Sequence, residues 1–137
     1  MLNLFQVNLM FRNARRFVYS LVGATPVINF NKSDILFIES ALENMYGVDL
    51  HKPQHGHDEV QMKRFFVNYI LDETDWSVME LSRRLDDAGI TAKGLSRRSL
   101  QYYVNTHDEA LSSDNLGEVS IYMEAYRNFF RNINSIL

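Results

Sequence analysis

At 137 residues and 46% hydrophobic, the chain is long enough to bury a core and reads as one compact domain with a terminal arm, not as a disordered tail. Its formal charge of −3 counts against a protein that coats nucleic acid nonspecifically, because phosphate binding is dominated by Lys and Arg. With no cysteine, disulfides and thiolate metal sites are excluded, and an intracellular location is the default expectation.

The opening MLNLFQVNLMFRNARRFVYSLVGA spaces Val7, Met10, Phe11, Ala14, Phe17, Val18 and Leu21 at three and four residues. That period predicts an amphipathic helix, and Arg12, Arg15 and Arg16 make its other side basic. A signal peptide would carry its charge first and an unbroken apolar run after it, and no segment is long and apolar enough to cross a bilayer. ATPVINFN, from Ala24 to Asn31, contains a proline and partly alternates, so an extended connector or short strand is expected. Residues 1–32 are therefore read as a basic helix plus connector, and residues 33–137 as the helical domain.

A helix is expected from Ser33 to just before Gly47, burying Ile35, Ile38, Leu42 and Met45. VDLHKPQHGH then forms a loop. Asp58 is the expected N-cap of a helix reaching about Leu71, with Met62, Phe65, Phe66 and Tyr69 as its core stripe. Ser77 and Glu80 have capping-box spacing, so another helix should run to about Ala88 and stop at Gly89. After the turn ITAKG, Ser96 caps a further helix, with Leu95 and Leu100 at the two positions of a hydrophobic staple. Beyond SSDNLG, Val119, Tyr122, Met123, Tyr126, Phe129, Phe130 and Ile133 mark a long last helix. The fold class is all-α, about six helices with a central helix-turn-helix at about 77–111.

The helix after Ser96 carries the main functional signal. At 100° per residue, Leu100, Tyr103, Val104, His107 and Leu111 fill one arc, while Arg97, Arg98, Gln101, Tyr102 and Asn105 fill the opposite one. Arg reads guanine or holds phosphate, Gln and Asn read adenine edges, and Tyr meets phosphate or a thymine methyl. These residues begin at the helix N-terminus, the end that enters the major groove in helix-turn-helix proteins. The preceding helix turns Val78, Leu81 and Leu85 inward, with the small Ser82 on the same stripe. Residues 83–98 hold five basic side chains against Asp86 and Asp87, a local balance of +3 inside an acidic chain. Arg64, Arg83, Arg84, Lys93 and Ser96 are the expected phosphate contacts.

From Ile38 to His107 the chain resembles the C-terminal origin-binding domain of the bacterial replication initiator DnaA, a helix-turn-helix of the Trp-repressor-like class. Tyr46-Gly-Val-Asp49 stands where that family has a segment like Phe-Gly-Ile-Asp. Lys63-Arg64-Phe-Phe-Val-Asn-Tyr69-Ile keeps the family's spacing of an arginine five residues before a tyrosine. The resemblance implies that Arg64 holds phosphate or enters the minor groove. Ser77-Val-Met-Glu-Leu-Ser82 matches the family's Ser-Leu-x-x-Ile helix loosely. Where the family's recognition helix begins Asp-His-Thr/Ser-Thr-Val, this chain has Ser96-Arg97-Arg98-Ser99-Leu100, so origin-box specificity does not transfer. HKPQHGHDE lacks the arginines of the family's basic loop, and no Gly-rich phosphate loop occurs. The match is most like small phage or mobile-element proteins that carry such a domain alone.

His51, His55 and His57, beside Asp49, Asp58 and Glu59, are residue types that bind zinc, but in a loop without fixed spacing a solvated loop is the stronger expectation. His107 is expected as a hydrogen-bonded core residue. Glu73 and Asp75 are read as capping acids, and no serine or threonine stands in a nucleophile context, so neither catalysis, metal nor cofactor is expected. The expected function is noncatalytic binding of double-stranded DNA in the cytoplasm of a bacterial or phage-infected cell. The alternative is a virion or packaging protein. Residues 4–21 or 117–135 would serve as the surface of a homodimer or larger assembly in either case.

Overall fold

The computed structural model describes residues 30–50, 56–90 and 95–136. The expected N-terminal basic helix, nearly all of the ATPVINFN connector, His51, His55 and Lys93 lie outside the described residues. Among the described residues five helices follow one another: α1 (Lys32–Tyr46), α2 (His57–Glu73), α3 (Val78–Asp87), α4 (Arg97–Leu111) and α5 (Leu116–Ile136). The described residues form an all-α fold in which α2 and α4 pack most extensively on each other. α3 and α5 each pack against α4, while α1 touches α2 and α3.

α1 starts before Ser33, because Asn31 closes the helix end in both directions. Its Oδ1 accepts from the Asp34 backbone N–H at 2.9 Å, and its own N–H donates to Asp34 Oδ2 at 3.0 Å. The helix stops where expected, at Gly47, whose φ of 68° suits a residue without Cβ and whose N–H donates to the Glu43 carbonyl. Met45 is 43% exposed instead of buried. Its neighbour Tyr46 turns inward and stacks on Phe129 at 5.7 Å.

α2 departs further from expectation. Gly56, not Asp58, is its N-cap and supplies no side-chain bond; Asp58 lies in the first turn, where a carboxylate suits the dipole, and the helix continues to Glu73. Every residue from Phe65 to Asp72 is buried, so a one-sided stripe understates what is the central helix of the fold. Phe65 alone meets Tyr122, Tyr126 and Phe129 of α5 at ring-centroid distances of 5.2–5.6 Å. Lys63 is also buried; desolvation pulls its ammonium pKa down, against the opposing charge of Asp49.

Ser77 caps α3 as expected, accepting from the Glu80 N–H at 3.1 Å. At the other end the Gly89 N–H reaches the Asp86 carbonyl and the Ile90 N–H reaches that of Leu85, with Gly89 at a φ of 77°. This is a Schellman ending, sealed by buried Ile90 and Leu85. α5 begins two residues earlier than the SSDNLG boundary suggests, since Asn115 Oδ1 accepts from the Glu118 N–H at 3.2 Å. No helix among the described residues is long and apolar enough to cross a membrane.

Candidate nucleic-acid interface

The two arcs read from the sequence of α4 are the two faces of the folded helix. Leu100, Tyr103, His107 and Leu111 are buried, and Val104 is half-buried. Leu95 and Leu100 are both fully buried, which anchors the start of the helix. His107 is a core residue as expected, its Nδ1 2.5 Å from Tyr122 Oη and its ring 4.8 Å from that of Tyr126. On α5, the same Tyr126 donates from Oη to Asp72 Oδ2 of α2. These contacts fix the inner side of α4 between the two longest helices.

Arg97, Arg98, Gln101, Tyr102 and Asn105 all lie exposed on the outer side. Ser96 caps the helix through the Ser99 N–H at 3.3 Å. Gln101 donates to Asn105 Oδ1 at 3.0 Å, so these two amides are aligned along the helix. Arg97 and Arg98 occupy the first turn, where cations oppose the helix dipole and no acid is present to offset them. Neither guanidinium has a carboxylate partner among the described residues. Their charges therefore add nothing to the stability of α4.

Two open hollows run between the start of α4 and the outer side of α3. One is lined by Ser77, Val78, Met79, Arg97, Arg98 and Gln101. The other is lined by Met79, Ser82, Arg83, Asp86, Ser96 and Arg97. Arg97 and the exposed Met79 border both. The structure thus gathers Arg83, Ser96, Arg97, Arg98 and Gln101 around one junction, and Tyr102 and Asn105 continue along α4.

The arginines expected at phosphate are held by other side chains of the fold. Arg64 is half-buried and donates from Nε to Thr106 Oγ1 at 2.8 Å, while Thr106 in turn donates to the Tyr102 carbonyl at 2.9 Å. Burial pushes up the phenol pKa of Tyr122, and the positive charge of Arg64 lies close enough to lower it in part. Arg64 therefore braces the flank of α4 from below. Arg83 and Arg84 share Glu80: Arg83 donates from Nε at 3.0 Å and Nη2 at 2.5 Å, and Arg84 from Nε at 2.9 Å. Arg84 also lies 4.9 Å over the Trp76 ring. These three hydrogen bonds from two arginines hold the Glu80 carboxyl down at about 2. The expected capping box is consequently half-formed, because the carboxylate that would return to the Ser77 N–H faces the arginines instead.

That clamp went unread in the sequence, although Glu80 stands three and four residues ahead of Arg83 and Arg84, the spacing at which helical side chains meet. Met79 was likewise missed, since an exposed methionine has no local signal. His57 is exposed, 3.6 Å from Asp58, and no group of His, Asp and Glu among the described residues has the arrangement of a metal site. Comparison of the chain with protein-family models, with curated proteins and with solved structures found no match.

Proposed function

We propose that this chain is a noncatalytic double-stranded DNA-binding protein that lays the outer face of α4 in the major groove. One observation carries the proposal: five exposed side chains able to read base edges share one face, headed by two arginines that have no carboxylate partner among the described residues and oppose the dipole of their own helix. Arg97 and Arg98 meet guanine edges or phosphate, Gln101 and Asn105 read adenine, and Tyr102 packs on a thymine methyl or phosphate. Ser96 and Arg83 border the groove walls. Arg64 acts through Thr106 by positioning α4. The resemblance to the initiator's origin-binding domain supports the same orientation and a role in phage replication or regulation.

The test is fluorescence anisotropy of a mixed-sequence duplex across a salt series, with wild type and Arg97→Ala/Arg98→Ala side by side. Wild type should bind with a steep loss at higher salt, and the double variant should bind more weakly with a slope reduced by up to about two, about one per lost phosphate contact. Failure of wild type to bind at low salt, or identical binding by both proteins, would remove α4 as a DNA helix.

A second reading rests on a different surface. Leu36, Phe37 and Met45 are exposed on α1, and Leu116 and Ile121 are each 71% exposed on α5. Buried against a partner, these groups would serve the contacts of a virion or packaging component. Sedimentation of wild type against Phe37→Ser/Ile121→Ser, read beside duplex binding, separates the two. Loss of mass without any duplex binding by wild type favours the assembly protein, and duplex binding by wild type, whether as monomer or dimer, removes it.

A further inference from the structure

α3 brings Arg83 to the junction with α4 but holds it, together with Arg84, on its own carboxylate. Glu80 accepts three hydrogen bonds from Arg83 and Arg84, and Asp87 lies 3.6 Å from the other end of Arg83. The two Nε and Nη2 donors that Arg83 turns to Glu80 are a fork that also fits two oxygens of a phosphate diester. Arg83 lines the same hollow as Ser96 and Arg97, so a phosphate beside α4 passes within its reach. Resting on the DNA-binding reading above, we infer that Glu80 is an intramolecular competitor for DNA phosphate, which must be displaced before Arg83 can contact the duplex.

The exchange is feasible because the clamp is at the surface. Arg83 is 58% exposed and Glu80 31%, and pairs in such positions gain little over their solvated ions. Arg84 keeps its seat on Trp76 during the exchange, whereas Arg83 has only Glu80 and Asp87 to leave. The carboxylate stays ionised throughout the physiological range, since its pKa is held at about 2. Displacement therefore comes from a competing anion and not from protonation.

The experiment measures duplex affinity at one low salt concentration for wild type, Glu80→Gln, Glu124→Gln and Glu80→Gln/Arg83→Ala/Arg84→Ala. Glu124 is exposed on α5, so its variant reports the effect of losing one negative charge away from the clamp. Glu80→Gln should bind at least about fivefold more tightly than wild type, Glu124→Gln within about twofold of it, and the triple variant should show no gain. The inference is overturned if Glu80→Gln gains no more than Glu124→Gln, or if the gain survives loss of both arginines. In either case wild-type binding that depends on Arg97 and Arg98 leaves the role of α4 standing. If no protein in the series binds, both fall; if only Glu80→Gln binds, the competitor is confirmed in its strongest form.

Discussion

α3 and α4 each carry an adjacent pair of arginines, Arg83-Arg84 and Arg97-Arg98, and the two pairs have opposite environments. Glu80 gathers the first pair, and Asp86 and Asp87 follow it. The second pair opens its helix with Lys93, Gly94 and Leu95 at the positions three and four residues ahead, and Gln101 and Tyr102 among those behind. A cationic residue type thus says little about available charge. What decides is whether a carboxylate stands one helical turn away.

The largest expected effect tests that difference directly. Arg97→Ala/Arg98→Ala and Arg83→Ala/Arg84→Ala remove the same formal charge, so the long-range field changes alike and only contacts differ. Loss of two base or phosphate contacts should weaken duplex binding about a hundredfold for the α4 pair. The α3 pair should cost less than about tenfold, because its arginines are already neutralised before DNA arrives. Equal losses measured by anisotropy would mean that the clamp has no bearing on recognition.

A transplant makes the comparison sharper. Gln101 lies four residues after Arg97 and three after Arg98, so Gln101→Glu should rebuild on α4 the carboxylate that α3 already has. It should weaken binding about tenfold, more than Gln101→Ala, because it both ties up the arginines and repels phosphate. Arginine Nε–Hε NMR signals of residues 97 and 98 should shift in the variant before any DNA is added. Unshifted signals would leave repulsion alone as the cause.

How much of this was legible in the sequence depended on the range of the interaction involved. Ser77, Ser96, Gly47 and Gly89 marked helix ends correctly because caps are settled by atoms within a few residues. The two arcs of α4 were equally legible, since helical period alone divides them. The helix expected from Ser33 starts before it, because the reciprocal pair between Asn31 and Asp34 satisfies two backbone groups ahead of that residue. The all-round burial of α2 had no local signature; it follows from where α1, α4 and α5 settle. For the same reason Arg64 reads as a surface arginine until Thr106 and Tyr122 are placed beside it.

Stability should separate the helices less strongly than binding. Ser77→Ala and Ser96→Ala each remove one cap bond and should each cost about 1 kcal/mol in urea unfolding. Similar losses would show that α3 and α4 have equally specified starts despite their different charges. Arg84→Ala should cost about 0.5–1 kcal/mol through its contact with Trp76. Arg97→Ala should be neutral or slightly stabilising, because it removes a cation from the positive end of a helix dipole. A destabilising Arg97→Ala would reveal a structural role that the exposed position does not suggest.

The smallest effect is in the pH dependence, where the sign follows from Glu80. Its carboxyl titrates at about 2 in the folded chain, below the ordinary 4.5, because Arg83 and Arg84 donate to the ionised form. A depressed folded value means that the contribution is complete above the ordinary value and fades as pH falls from about 4.5 towards 2. The difference in unfolding free energy between wild type and Glu80→Gln should therefore be flat above pH 5 and shrink below it. Replacing Arg97 and Arg98 should give a difference with no such limb, since no carboxylate is paired with them among the described residues. A flat Glu80→Gln difference down to pH 2 would mean that the clamp does not persist in solution, and α3 would then present its arginines as freely as α4 does.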